Sequence, residues 1–148
     1  MQRRPDRTHG PGHDEFWAWC NKGELRLQRC SECGQISWPV VKACEYCGGT
    51  QLSWEKMSGR GKIVSWCTFE RDYYNNLLPI PWETILVELD EGPLFVSNPK
   101  DLTWRDIEFN MPVTLAFLDC EDSMGPFKLP IFVSLSRTPD QHGPLSRC

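Results

Sequence analysis

Cys30-Ser31-Glu32-Cys33-Gly34 and Cys44-Glu45-Tyr46-Cys47-Gly48 form two matching knuckles, and everything around them is constrained by that pair. A C-x-x-C turn directs two sulfurs at one centre. A glycine directly after the second cysteine allows a positive φ that aims backbone amides at the sulfurs. Two such turns supply four thiolates, the tetrahedral donor set of a structural zinc. The ten residues between them, GQISWPVVKA, are fewer than in the usual paired-knuckle spacing, but enough for a short hairpin. The pattern reads as a rubredoxin-like zinc ribbon holding one structural zinc per chain on Cys30, Cys33, Cys44 and Cys47. Redox C-x-x-C pairs come singly on helix N-termini. A catalytic zinc needs an open position, which four thiolates do not leave. A rubredoxin-type iron uses the same cysteines, so zinc and iron both stay open at this stage. Either metal would be architectural, helping to fold a piece too small to have its own core.

On the N-terminal side, residues 14–29 read as a docking helix and linker. Asp14 and Glu15 suit a helix start and Gly23 suits its stop. Phe16, Trp17 and Cys20 share one apolar face. A helix of about 2–3 turns is not stable alone, so it must dock on its own domain or on a partner. Residues 1–13 mix Arg, Pro, Gly and His without periodicity and read as a disordered tail.

On the C-terminal side, the ribbon is expected to span 30–57. From residue 58 the composition turns strand-like: GKIVSWCTF, ETILVELD, GPLFVSN, PVTLAFL and KLPIFVSL. Five strands in about 80 residues fit a small closed barrel better than a sandwich, which needs about seven strands. The segment DLTWRDIEFN, between the third and fourth runs, is expected to form a helical turn plus loop, the place of the interstrand helix in an OB-fold. The chain is therefore read as mainly β: an N-terminal helix, a zinc ribbon, a five-stranded OB-fold barrel over 58–136, and a flexible tail over 137–148. Cys67 and Cys120 lie in apolar runs and read as small core residues.

Between the first two barrel runs lies the loop ERDYYNNLLPIPW, residues 70–82, long, apolar and stiffened by proline. In OB-folds this loop borders the usual ligand face. Two readings stand: an exposed patch for a partner or acyl ligand, or a loop folded back to plug the barrel end. The contacts in the first case are Tyr73, Tyr74, Leu77, Leu78 and Trp82, with Phe16 and Trp17 from the helix.

Net charge is −4, and four thiolates with one Zn²⁺ take it to roughly −6, so the overall field does not draw the chain to phosphate backbones. Residues 63–99 hold one basic residue, Arg71, against the interleaving of aromatics and cations that a single-strand nucleic-acid binder wants. No run approaches the roughly 18 apolar residues of a membrane span, and the N-terminus lacks a secretory core, which makes the cytoplasm the expected compartment. The histidines are His9, His13 and His142, all in the terminal segments, and no Ser-His-Asp or Cys-His set assembles from the ordered runs.

The order of a helix with Phe16-Trp17, GELRLQRCSECGQISWP, CEYCGG, SGRGKIVSWCTF, ILVELDEGPLFVSN and NMPVTLAFLD resembles the DUF35 family. The resemblance covers roughly residues 14–135. Its most specific elements are the knuckles, the strand start Gly59-Arg60-Gly61-Lys62-Ile63, and Asn110-Met111-Pro112-Val113, where the usual glycine is Asn. Asn also tolerates a left-handed turn. The resemblance implies a non-catalytic accessory subunit of a thiolase-like enzyme (thiolase, acyltransferase or aldolase) acting on acyl-CoA thioesters in a catabolic pathway. It further implies a CoA thioester shared with that partner, whose cysteine and histidines do the chemistry, and a heterotetramer as the assembly. The alternatives are a free-standing acyl-CoA binder or hydratase scaffold, and a single-strand nucleic-acid binder.

Overall fold

The computed structural model describes residues 1–135; the tail expected at 137–148, with His142 and Cys148, lies outside the described residues. The elements run β1 (Gln2–Arg3), α1 (His13–Asn21), β2 (Arg26–Cys30), β3 (Ile36–Ser37), β4 (Leu52–Lys56), β5 (Arg60–Phe69), β6 (Trp82–Leu89), β7 (Leu94–Ser97), β8 (Met111–Asp122) and β9 (Gly125–Ser134).

The ribbon is a three-stranded antiparallel sheet in the order β3-β2-β4. The short spacer does form a hairpin around the first knuckle, pairing Gln28 with Ser37 and Arg29 with Ile36. Its central strand begins at Arg26, inside the segment expected to be a linker, because β4 pairs along its whole length from Arg26↔Lys56 to Cys30↔Leu52. Gln28 is nearly buried, with its amide used as a strand substitute. Nε2 donates to Val41 O at 3.1 Å and Oε1 accepts from Val41 N at 2.9 Å. That clamp fixes the stretch carrying Trp38.

The five apolar runs become β5 to β9. β5, β6 and β7 form a meander, β8 returns beside β5, and β9 pairs with β8. A parallel bridge between Pro99 and Phe132, with Lys100 N donating to Phe132 O at 2.9 Å, joins the end of β7 to β9. This is the strand order of an OB-fold. The helical turn expected in DLTWRDIEFN is instead a set of turns. Asp106 N donates to Thr103 O at 2.8 Å, and the segment places Leu102 and Ile107 in the core without a helix. Asn110 takes the left-handed φ of 64° expected of it.

Cys67 is exposed, contrary to its reading as a core residue, whereas Cys120 is buried. The cause is a register shift in β5 between Ile63 and Ser65. A bulge moves every following side chain to the opposite face. Before it Gly61 and Ile63 point inward; after it Trp66 and Thr68 are the more buried and Cys67 faces out.

Residues 1–13 are also a correction, because they are built into the barrel rather than left as a tail. β5 pairs with β8 only over Met111–Thr114. Farther along, β1 takes β8 as a parallel partner, Gln2 opposite Cys120 and Arg3 opposite Glu121, and Arg4 N donates to Glu121 O at 2.9 Å. Composition marked this arm as mobile because its anchors are backbone pairing and one buried ion pair, neither of which leaves a periodic pattern.

Helix α1 docks on its own chain. Phe16 and Cys20 are buried in one continuous core with Leu25, Leu27 and Ile36 of the ribbon side and Ile63, Val87, Phe95 and Phe132 of the barrel. Helix, ribbon and barrel thus share their apolar interior. Within it, Gly61 admits no side chain. A Cβ there would lie 2.6 Å from Glu88 O and 2.7 Å from Val87 Cγ1. Gly61→Ala should therefore destabilise by about 1–3 kcal/mol, read from urea unfolding; a variant as stable as wild type would refute this close approach of β5 to β6.

Candidate metal centre and ligand cavity

Both knuckles close in the same way. Gly34 N donates to Cys30 O and Gly48 N to Cys44 O, each at 2.8 Å, and both glycines take φ 77°. The turn then points amides at sulfur: Tyr46 N lies 3.4 Å from Cys44 Sγ and Gly49 N 3.4 Å from Cys47 Sγ. The four sulfurs of Cys30, Cys33, Cys44 and Cys47 lie within 4.8 Å of one another. Cys30 and Cys47 approach to 3.6 Å and Cys33 and Cys44 to 3.5 Å. A tetrahedron with Zn–S bonds of about 2.3 Å has edges of about 3.8 Å, so the set fits a four-thiolate ion. Electrostatics agree. At Cys44 burial opposes ionisation, but amide donors from Cys47 and Tyr46 and the neighbouring thiols draw the pKa down to about 7. At Cys47 the Gly49 amide favours the thiolate, yet the sulfurs of Cys30, Cys33 and Cys44 together with burial push it up to about 12. Four thiols this close cannot all ionise without a compensating charge; a divalent cation at the centre removes that conflict.

The second feature is a cavity of about 760 Å³ between α1, the ribbon spacer, the open end of the barrel and the N-terminal arm. Phe16, Trp17, Tyr73, Tyr74, Leu78 and Trp82, expected as contacts from sequence, all line it, and Leu77 does not. Phe16 is buried against Trp38, with ring centroids 4.6 Å apart, so it belongs to the inner wall of the cavity and not to the outer surface. Within the loop Leu78 is buried, while Tyr73 is 61% exposed. Asp72 holds the turn, accepting from Tyr74 N at 2.9 Å and Asn76 N at 2.8 Å. Trp82 stacks on Phe69 at 4.8 Å with the rings within 7° of parallel.

Sequence reasoning missed Trp38, Phe69, Phe95, Phe127, Arg4 and Arg7, which also line the cavity. The aromatics stand in separate strands or in the ribbon spacer, and only the closed sheet brings them together. The arginines belong to the arm. Arg7 Nε meets Asp122 Oδ2 at 2.7 Å, and its guanidinium lies 4.1 Å from the Phe127 ring centroid. The Arg7 hydrogen bond, against some cost of burial, holds the Asp122 carboxyl well below the usual carboxylate range. A depressed folded pKa stabilises fully above the unfolded value of about 3.9 and is lost as pH falls through the folded one. Wild type should therefore be more stable than Asp122→Asn by a constant margin above about pH 5, with the margin shrinking below about pH 4. Melting curves from pH 7 to 3 check this; a margin that grows on acidification would contradict the pair's role.

Two family profiles match the chain in tandem: "ChsH2, rubredoxin-like zinc ribbon domain" over residues 17–53 and "ChsH2, C-terminal OB-fold domain" over residues 54–118. A "DUF35 domain-containing scaffold protein" of Pyrococcus furiosus is 27% identical over 89 residues, covering 57% of this chain and 62% of that protein. The chain belongs to the DUF35 family. Another relative of this DUF35 chain is a "Probable enoyl-CoA hydratase alpha subunit" of Thermomonospora curvata, 29% identical over 118 residues, or 79% of the chain. The chain spans only 36% of that subunit's length. Among solved structures, the DUF35 fold matches a chain described as "Ltp2-ChsH2(DUF35) aldolase" with a TM-score of 0.76 and 25% identity, over 87% of this chain and 98% of that one. Among the described residues, no helix is long and apolar enough to cross a membrane.

Proposed function

We propose that this DUF35 chain is a cytoplasmic, non-catalytic accessory subunit of a thiolase-like enzyme that makes or breaks a C–C bond in an acyl-CoA thioester. The observation that carries the reading is the aromatic-walled cavity, whose volume of about 760 Å³ suits an acyl group and lies within the usual range of small-molecule sites. The acyl part rests against Trp17, Trp38, Trp82 and Phe127, and the thioester end is shared with the partner. Tyr73, Ile80 and Val96 are exposed and offer it an apolar footing. Zinc, held by Cys30, Cys33, Cys44 and Cys47, supplies structure. It locks the hairpin whose spacer carries Trp38 into the cavity wall.

Local chemistry supports a partner-borne reaction. Burial pushes the Cys20 thiol up to about 12 and raises that of Cys120 as well, which leaves both poor nucleophiles. Relatives named as hydratase and aldolase components point to the same setting. A second reading, a free-standing acyl-CoA binder, is favoured by the cavity's being formed in the single chain. Co-expression with a thiolase-like protein encoded beside it separates the two. Co-purification as a defined hetero-oligomer, a heterotetramer being expected, supports the subunit reading. Tight calorimetric binding of acyl-CoA to the isolated chain, with no complex formed, would replace it by the second.

A further inference from the structure

We propose that Arg4 makes the cavity selective for acyl groups that join a flat apolar body to one free carboxylate. This rests on the reading of the cavity as an acyl site and adds the chemical class of the acyl group.

The cavity wall carries two guanidinium groups, Arg4 and Arg7, and the imidazole of His13. Arg7 is already neutralised, with Nε and Nη2 donating to the two oxygens of Asp122 at 2.7 and 3.2 Å. Arg4 has no carboxylate partner among the described residues. Its side chain makes one hydrogen bond there, from Nη2 to Asn98 Oδ1 at 3.0 Å. Asn98 Nδ2 donates to Glu83 O at 2.8 Å, which fixes the amide and turns its oxygen toward Arg4. A neutral acceptor orients the guanidinium without cancelling its charge. Burial lowers the pKa of Arg4 from its ordinary value, the sign of a cation deprived of water, and arginine remains protonated even so.

The charge sits on a fixed backbone. β1 pairs with β8, and Arg4 N donates to Glu121 O at 2.9 Å, so the guanidinium is held at the cavity wall. Elsewhere on the cavity wall stand the rings of Phe69, Trp82 and Phe127, which suit a flat apolar body. A phosphate carries about two negative charges and draws several cations or amides. One uncompensated guanidinium matches one carboxylate, whose two oxygens fit its fork.

The test uses the full zinc-loaded chain with 4-phenylbutanoate, its neutral amide 4-phenylbutanamide, and inorganic phosphate, followed by tryptophan fluorescence. The acid should bind at least about tenfold more tightly than the amide. Arg4→Gln should bring the acid down to the level of the amide and leave the amide unchanged, while Arg3→Gln, at an exposed neighbouring position, should behave as wild type. Asn98→Asp, which gives Arg4 an internal carboxylate, should also abolish the preference and decides the matter if Arg4→Gln fails to fold. Equal binding of acid and amide, or an unaltered preference in these variants, overturns the proposal and leaves the apolar cavity reading intact. Phosphate displacing the acid at equal concentration overturns the carboxylate assignment. Binding of neither organic probe overturns the proposal and the acyl-site reading together.

Discussion

Cys44→Ser should release the metal, and the damage should extend well beyond the ribbon. Structural zinc contributes about 10–16 kcal/mol of apparent binding energy in small zinc-dependent modules, against a typical net stability of about 5–15 kcal/mol for a whole domain. The ribbon has little to replace that contribution. Its sheet is three short strands, and β3 is two residues long. Ile36 is nevertheless part of the same core as Phe95 and Phe132, and Trp38 packs on Phe95 with ring centroids 5.0 Å apart. Loss of the clamp should free the spacer, withdraw Trp38 from the cavity wall and expose the top of the barrel. Elemental analysis should show metal falling from about one ion per chain to near zero, with amide exchange accelerating across β2, β3 and the spacer. A Cys44→Ser protein that keeps its metal and its melting temperature would contradict this assignment of the donors.

Phe16→Ala should cost about 3–5 kcal/mol, the usual range for removing a buried phenylalanine. Phe16 is 2% exposed and touches three rings: Trp17 at 5.0 Å, Trp38 at 4.6 Å and Phe95 at 6.4 Å between centroids. It therefore joins helix, ribbon and barrel at one point. Helix α1 has nine residues and no side-chain cap at its N-terminus, so it cannot persist once undocked. Its outer side is tied at the surface, where Trp54 Nε1 donates to Glu15 Oε2 at 2.7 Å, Arg26 covers Trp19 at 3.9 Å and Asn21 Oδ1 accepts from Lys128 N at 3.0 Å. Urea unfolding measures the loss, and a change below about 1 kcal/mol would show that the helix is not keyed into the core through this ring.

The parts of this structure legible in the sequence are those fixed by neighbours along the chain. Each knuckle is a five-residue unit, and its glycine announces the φ it requires. The five barrel strands announce themselves by composition, and the hydrogen-bonded ladder then fixes their order. Features set by distant contacts were not legible. The bulge at Ile63/Ser65 is a property of how β5 meets β6, and it alone decides that Cys67 faces outward. The segment around Leu102 and Ile107 has a composition that suits a helical turn, yet burying those two side chains is satisfied by turns. The arm is the largest omission. Arg7 looks like any tail arginine until Asp122, 115 positions away, is folded against it. The cavity follows the same rule. Six of its lining residues, Phe16, Trp17, Tyr73, Tyr74, Leu78 and Trp82, stood out in the sequence because they cluster in α1 and the loop at 70–82. Phe69, Phe95 and Phe127 required three strands to be assembled first.

The central claim is that this chain shapes a site whose chemistry is carried by another. The most direct measurement is chromatographic detection of free CoA or cleaved acyl product from a panel of acyl-CoA thioesters. The zinc-loaded chain would be assayed alone and then with the proposed thiolase-like partner. The account predicts no turnover by the chain alone, and turnover by the pair that exceeds that of the partner by itself. Steady turnover by the purified chain, or a partner equally active without it, would contradict the account.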